Sequence, residues 1–405
     1  MRTGDSHFNV RTGDSHCNLC TGDSHFNVRT GDSHFNVRTG EPAARPYRYT
    51  RWQALPESPE FLVNFTGGFM AARPHKLINE PDDIVDEMLA GFCAAYKDIV
   101  RLQGDRLILR AQPKAAGKVG LVMGGGSGHE PAMLGWVGRG LLDVNIVGDI
   151  FSAPGPERIL AGIRAADRGA GALLCVSHHE GDRLNAELAL EFCELEGIDN
   201  VDMVILYDDI SSAPKGREQE RRGTAGLFFV WKMLGAFCEG DADLAAAKAL
   251  AEKVRDSTRS LAMSLSSCAS PVTGEIMFEL AAGDMEIGMG LHGEVGRGRQ
   301  EALPADATID LMLPPILDDL PFRAGDEALV LLNNSGSLTL MELFILYRRV
   351  AFKLREAGIR VYKSWIGPYA TTLETAGFAL SLCRVDDQLK ALWDAPANGA
   401  YMKQL

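Results

Sequence analysis

The stretch Val119-Gly-Leu-Val-Met-Gly-Gly-Gly-Ser-Gly-His-Glu-Pro131 runs a short apolar segment into glycines, then His129, Glu130 and a proline. Val119 to Met123 is predicted as a buried strand, being apolar, short and bounded by turn residues. Pro131 stands where a helix can open, because its missing N–H is no loss there. Gly124, Gly125, Gly126 and Gly128 leave room for a ligand to approach main-chain N–H groups. His129 then lies at the carboxyl end of a strand, where open α/β sheets hold ligands. Neither frame of the glycines closes a G-x-G-x-x-G fingerprint, and no Gly-Lys-Ser/Thr follows to make a phosphate loop. A purely structural turn is the plain alternative. The sharper reading is a small hydroxylated or carbonyl compound, with His129 carrying its proton.

Outward from this stretch, strand-like and helix-like segments alternate. Asn145–Ile150, Ala172–Val176 and Val201–Leu206 read as strands; Pro131–Gly138, Glu157–Ala166 and Asn185–Glu196 read as helices. Such alternation predicts a mainly parallel sheet with helices on both faces. After the charged loop Pro214–Gly223 come helices from Thr224 and from Asp243. Strands are expected at Ser260–Ser266, Met285–Leu291, Ala328–Asn333, Ile359–Trp365 and Phe378–Arg384, with an amphipathic helix over Met341–Glu356. The expected fold is α/β with two α/β domains, residues 70–260 and 261–405, on mainly parallel or mixed sheets.

Composition narrows the function. A net charge of -13 over 405 residues argues against nucleic acid or an anionic membrane as partner. No apolar run approaches the roughly 18 residues of a membrane span. Most of the eight cysteines lie singly in apolar segments, as reduced core thiols of a cytoplasmic protein do. Residues 1–69 are a different material. A nine-residue unit, Arg-Thr-Gly-Asp-Ser-His-Phe-Asn-Val, recurs from Arg2, followed by a Pro- and Arg-containing linker. Each unit has too few apolar side chains to offset chain entropy, so disorder is expected. Met70 is a candidate initiator, and His16, Cys17, Cys20 and His25 form only a weak metal pattern.

A second glycine-rich motif, Glu286-Ile-Gly-Met-Gly-Leu-His-Gly-Glu294, joins the first, with Lys76-Leu-Ile-Asn79 before them and Leu392-Trp-Asp-Ala-Pro396 at the end. Together these resemble the dihydroxyacetone kinase K subunit (DhaK) family, from about Lys76 to Pro396. The resemblance implies a homodimeric two-domain α/β protein that binds a small ketose, dihydroxyacetone or erythrulose, covalently on a histidine. By position that histidine is His292, with His129 assisting proton transfer and Asp182 as base for the attacking hydroxyl. Gly126, Ser127, Gly128 and Ser177 correspond to substrate-contacting positions. The chemistry is self-consistent. An imidazole adds to a ketone to give a hemiaminal, a bond that polyols cannot form.

The resemblance also implies no cofactor on this chain. ATP or ADP with Mg²⁺ belongs to a separate nucleotide-binding L subunit, recharged in some systems by a phosphotransferase-system protein. Two departures stand out. His178-His179-Glu180-Gly181-Asp182 replaces the family's Asn-Tyr-x-Gly-Asp, and Ala153 replaces a substrate-contacting serine. Adjacent residues on an extended segment point apart, so His178 and His179 are not expected to share a metal, and no metal site is expected. Arg221 and Arg222 either face phosphate or sit on a solvated loop. A non-catalytic ketose-binding regulator is the alternative from another class, and a dehydrogenase a weaker third.

Overall fold

Alternation of side chains along each strand decides which helices share its layers. The computed structural model describes residues 76–294 and 296–405, and the backbone of four segments in the repeat region. Those four, β1 (Ser6–Thr12), β2 (Ser15–Thr21), β3 (His25–Thr30) and β4 (Ser33–Arg38), pair antiparallel in sequence order. The linker, with the disorder expected of it, and the side chains of His16, Cys17, Cys20 and His25 lie outside the described residues.

The described residues from 76 onward form one unit built on two six-stranded sheets. The first contains β5 (Val100–Gln103), β6 (Leu107–Arg110), β7 (Gly120–Ser127), β9 (Val144–Ile150), β10 (Ala172–Ser177) and β11 (Val201–Leu206). Its order is β11-β10-β7-β9-β6-β5, parallel from β11 through β9 and antiparallel at the β6–β5 edge. The helices of this half are α1 (Ile84–Ala95), α2 (Pro156–Ala166), α3 (Glu180–Leu195), α4 (Leu227–Cys238) and α5 (Leu244–Asp256).

The second sheet contains β12 (Thr258–Ser264), β13 (Asp284–Ile287), β14 (Gly298–Glu301), β15 (Glu327–Asn334), β16 (Arg360–Gly367) and β17 (Gly377–Val385). Its order is β14-β13-β12-β17-β15-β16, and only β15–β16 is parallel. Here α6 (Ala305–Asp319), α7 (Leu340–Glu356) and α8 (Asp387–Asp394) complete the helices. A small sheet joins β8 (Gly138–Arg139) to β18 (Ala397–Gly399) and β19 (Lys403–Gln404).

The cores give a five-layer stack. Val122 and Leu174 face α2 and α3, while Leu121, Met123, Leu173 and Cys175 face α4 and α5. Leu329 and Leu331 of β15 join that same central core, whereas Val330 and Leu332 face α6 and α7. Helix α4 therefore lies inside the molecule, and even Lys232 is buried, donating to the carbonyls of Leu392 (2.9 Å) and Ala395 (2.8 Å) where α8 ends.

The sequence-based strands and helices mostly stand, with instructive exceptions. The glycines after Met123 are strand, not loop: Gly124 and Gly125 stay in register with Ile146 and Val147, and the irregularity comes before Ser127. A side chain on Gly126 would meet the backbone nitrogen of Ser152 at 2.7 Å, so this glycine admits the Phe151–Pro154 turn. No α-helix opens at Pro131, because Met133 takes a left-handed φ of 61° and only a 3₁₀ turn, Leu134–Trp136, follows. The six described cysteines are free thiols, and among the described residues no helix is long and apolar enough to cross a membrane.

Candidate active site

The two histidine motifs meet. His129 Nε2 lies 3.0 Å from His292 Nε2, across a sequence separation of 163 residues. His129 is held by the carboxyl end of β7 and by its Nδ1, which donates to the Thr371 carbonyl at 2.7 Å. That bond leaves Nε2 aimed at His292. Full burial, together with the neighbouring charge of His292, pushes the His129 pKa down to about 3, so its ring is neutral at ordinary pH.

His292 follows β13 in a glycine-rich turn closed by Glu294. One Glu294 oxygen accepts the His292 backbone N–H at 2.8 Å, and the other lies 3.4 Å from His292 Nδ1. A Cβ at position 290 would stand 2.1 Å from the Glu294 carboxylate, so the glycine there allows the carboxylate to fold back over the turn. His179, at the amino end of α3, approaches the same Glu294 oxygen with Nδ1 at 3.5 Å while its Nε2 donates to the Gly223 carbonyl at 3.0 Å. Burial opposes ionisation of Glu294, but the imidazoles of His179 and His292 beside it outweigh this and hold its pKa far below the carboxylate range. Burial likewise works against charge on His179, yet Glu294 raises its pKa overall.

Asp182 sits in the first turn of α3. Burial pushes its pKa up to about 6 against the pull of His179 and His292, and its buried Oδ1 has no hydrogen-bond partner in the protein. An orphaned carboxylate oxygen facing a cavity is an acceptor held ready for a ligand hydroxyl. Gly126, His129, Ser177, His179, Asp182 and His292 all line one cavity of about 50 Å³.

Not every expected residue arrives. Ser127 does not line the cavity, because its hydroxyl donates to the Gly148 carbonyl at 2.8 Å. Gly128 is likewise outside it, with its N–H bound to the Glu130 carboxylate at 3.0 Å. His178 and His179 do point apart, the former toward the Arg221 carbonyl. Arg221 is buried in a two-pronged pair with Asp319 (2.7 and 2.6 Å) and ties the charged loop to α6, so it does not face a phosphate. Arg222 pairs with Asp209 at 2.7 Å. The sequence reading assigned no role to Glu294 or Thr371. Glu294 was two residues from the histidine, but only folding shows that it turns back onto it.

Fold and site together define a two-sheet α/β protein that holds a small polar molecule among three imidazoles and a buried acid. The chain belongs to the Dak1 domain family, whose pattern matches residues 90–401. It is 40% identical over 314 residues to the dihydroxyacetone-binding subunit DhaK of the PTS-dependent dihydroxyacetone kinase 1 of Listeria innocua, covering 77% of this chain and 95% of that one. The corresponding subunit of the PEP-dependent dihydroxyacetone kinase of Escherichia coli is 34% identical, with 80% and 97% covered. An L-erythrulose kinase of Pectobacterium atrosepticum is 37% identical, and there the match spans 81% of this chain but 56% of the relative. Among solved structures, the dihydroxyacetone kinase of C. freundii superposes with a TM-score of 0.75 at 29% identity, covering 82% of this chain and 60% of that one. The dihydroxyacetone kinase operon co-activator Dha-DhaQ superposes at 0.74 with 27% identity, covering 80% and 99%.

Proposed function

We propose that this chain is the ketose-binding subunit of a dihydroxyacetone-type kinase. His292 holds the substrate as a hemiaminal while a terminal hydroxyl is phosphorylated. The observation that carries this is the 3.0 Å contact between the Nε2 atoms of His129 and His292. His129 Nδ1 is committed as a donor, so a proton must lie between the two Nε2 atoms. The ketone enters that hydrogen bond. His292 Nε2 passes its proton to His129 Nε2 and bonds to the keto carbon, and His129 gives the proton to the carbonyl oxygen. His129 ends neutral, and the alkylated His292 is a neutral N-substituted imidazole with its lone pair on Nδ1, beside Glu294. Atoms and charge balance without any outside reagent.

Asp182 then takes the proton of the terminal hydroxyl, whose oxygen attacks the γ-phosphorus of a nucleotide as the diphosphate leaves. The nucleotide and Mg²⁺ belong to a separate L subunit, which supplies the electrophile and charge stabilisation. A phosphotransferase-system protein is one route for recharging it. Homodimerisation and a cytoplasmic setting complete the reading, with residues 70–260 and 261–405 as its two lobes. Similarity to both dihydroxyacetone and erythrulose kinases leaves either ketose as substrate, and the likeness to an operon co-activator supports a second reading as a ketose-binding regulator.

Intact-mass measurement under mild conditions tests the central bond. Wild type gains the mass of dihydroxyacetone, and His292→Ala gains none. An adduct of unchanged yield in the alanine variant would remove the assignment. Phosphate transfer in the presence of an L subunit separates kinase from regulator.

A further inference from the structure

Glu294 is the point on which two imidazoles converge. His179 Nε2 donates to the Gly223 carbonyl at 3.0 Å, so its neutral ring carries a lone pair on Nδ1. His129, fixed by Thr371, accepts at Nε2 from His292 Nε2, and neutral His292 then also has its lone pair on Nδ1. These two nitrogens lie 3.5 and 3.4 Å from the same oxygen, Glu294 Oε1. One ligand atom from each of His179, His292 and Glu294 lies within 4.8 Å of the other two, so three Lewis bases gather at one place.

The separations are long for hydrogen bonds but right for a metal shell. Ligands at about 2.0–2.1 Å around a tetrahedral Zn²⁺ stand about 3.4 Å from each other. The outer contacts are those that metal-binding histidines use. A backbone carbonyl fixes the tautomer of His179, a second imidazole fixes that of His292, and the His292 backbone N–H holds the other Glu294 oxygen at 2.8 Å. Asp182 Oδ1, buried and without a protein partner, lines the same cavity and can accept from a metal-bound water.

We propose that His179 Nδ1, His292 Nδ1 and Glu294 Oε1 form a site for a first-row divalent cation such as Zn²⁺, and that the bound ion blocks ketose capture. Two histidines with one carboxylate and an open fourth position suit such an ion better than Ca²⁺ or Mg²⁺, which favour oxygen. The metal site stands on geometry alone. The block rests on the reading of His292 as the ketose-bonding residue, because a cation on Nδ1 draws electron density from the ring and fixes its orientation, weakening Nε2 as the nucleophile. Sequence spacing could not reveal the trio, since its ligands come from α3 and from the turn after β13.

Zn²⁺ titration calorimetry of the full chain tests this, with wild type, His179→Asn, Glu294→Gln and His178→Asn compared after thermal melts confirm folding. Residues 1–40 also contain four histidines and two cysteines, so the signal is read as a difference between variants. Wild type and His178→Asn should bind one equivalent more than the other two variants, or bind it at least about tenfold more tightly. Saturating dihydroxyacetone should weaken that one equivalent at least tenfold. Identical isotherms for all four proteins would overturn the site. Zinc lost in His179→Asn and Glu294→Gln yet indifferent to the ketose would keep the metal site and overturn the block, while the adduct mass reports separately on His292.

Discussion

His129 and His292 touch, but their surroundings differ. His129 is 5% exposed, anchored by a backbone carbonyl and neutral, whereas the His292 side chain is 27% exposed on a glycine turn beside an ionised carboxylate. A neutral anchored ring is suited to passing a proton without moving. A ring with room to rotate on a glycine turn is suited to accepting a new bond. The contrast supports the two proposed roles.

The largest expected effect lies beyond the pair. Asp182→Asn should keep the ketose adduct in intact-mass spectra yet lower phosphate transfer with an L subunit by about 10²–10⁴-fold. Retained turnover would break the assignment of base. The same group sets the pH response. With a pKa of about 6, Asp182 is protonated at lower pH and unavailable as base. Turnover should therefore fall about tenfold per pH unit below 6 and level off above it. A rate that climbs as the solution is acidified would contradict this. The smallest effect concerns only stability. Lys232→Met strands the Leu392 and Ala395 carbonyls, costing about 1–3 kcal/mol in urea unfolding, with adduct formation unchanged.

Much of this was legible in the chain. The apolar runs at β7, β9, β10 and β11 announce buried parallel strands because both faces of that sheet are covered. The edge strand β14 is short and exposed throughout, giving no such signal, and α6 is hidden by Pro314 and Pro315 within it. In the site, His129, His292 and Asp182 stand in motifs. Ser127 is expected to offer its backbone, and its hydroxyl is spent on the Gly148 carbonyl, a contact no local pattern announces. Glu294, His179 and the Thr371 carbonyl acquire their places only when distant turns meet, and no local pattern encodes that.

Helix α4 has a mechanical consequence. Leu227, Phe228, Phe229, Val230, Trp231, Met233 and Leu234 are buried in the central core shared by both sheets. At about 1.5–3 kcal/mol for each large side chain, prising the halves apart costs on the order of 10 kcal/mol, as much as a whole domain's stability. The two lobes therefore cannot open and shut like a clam around their guest. Entry and exit fall to the rim, where glycine turns yield, and heat should melt the lobes in one step.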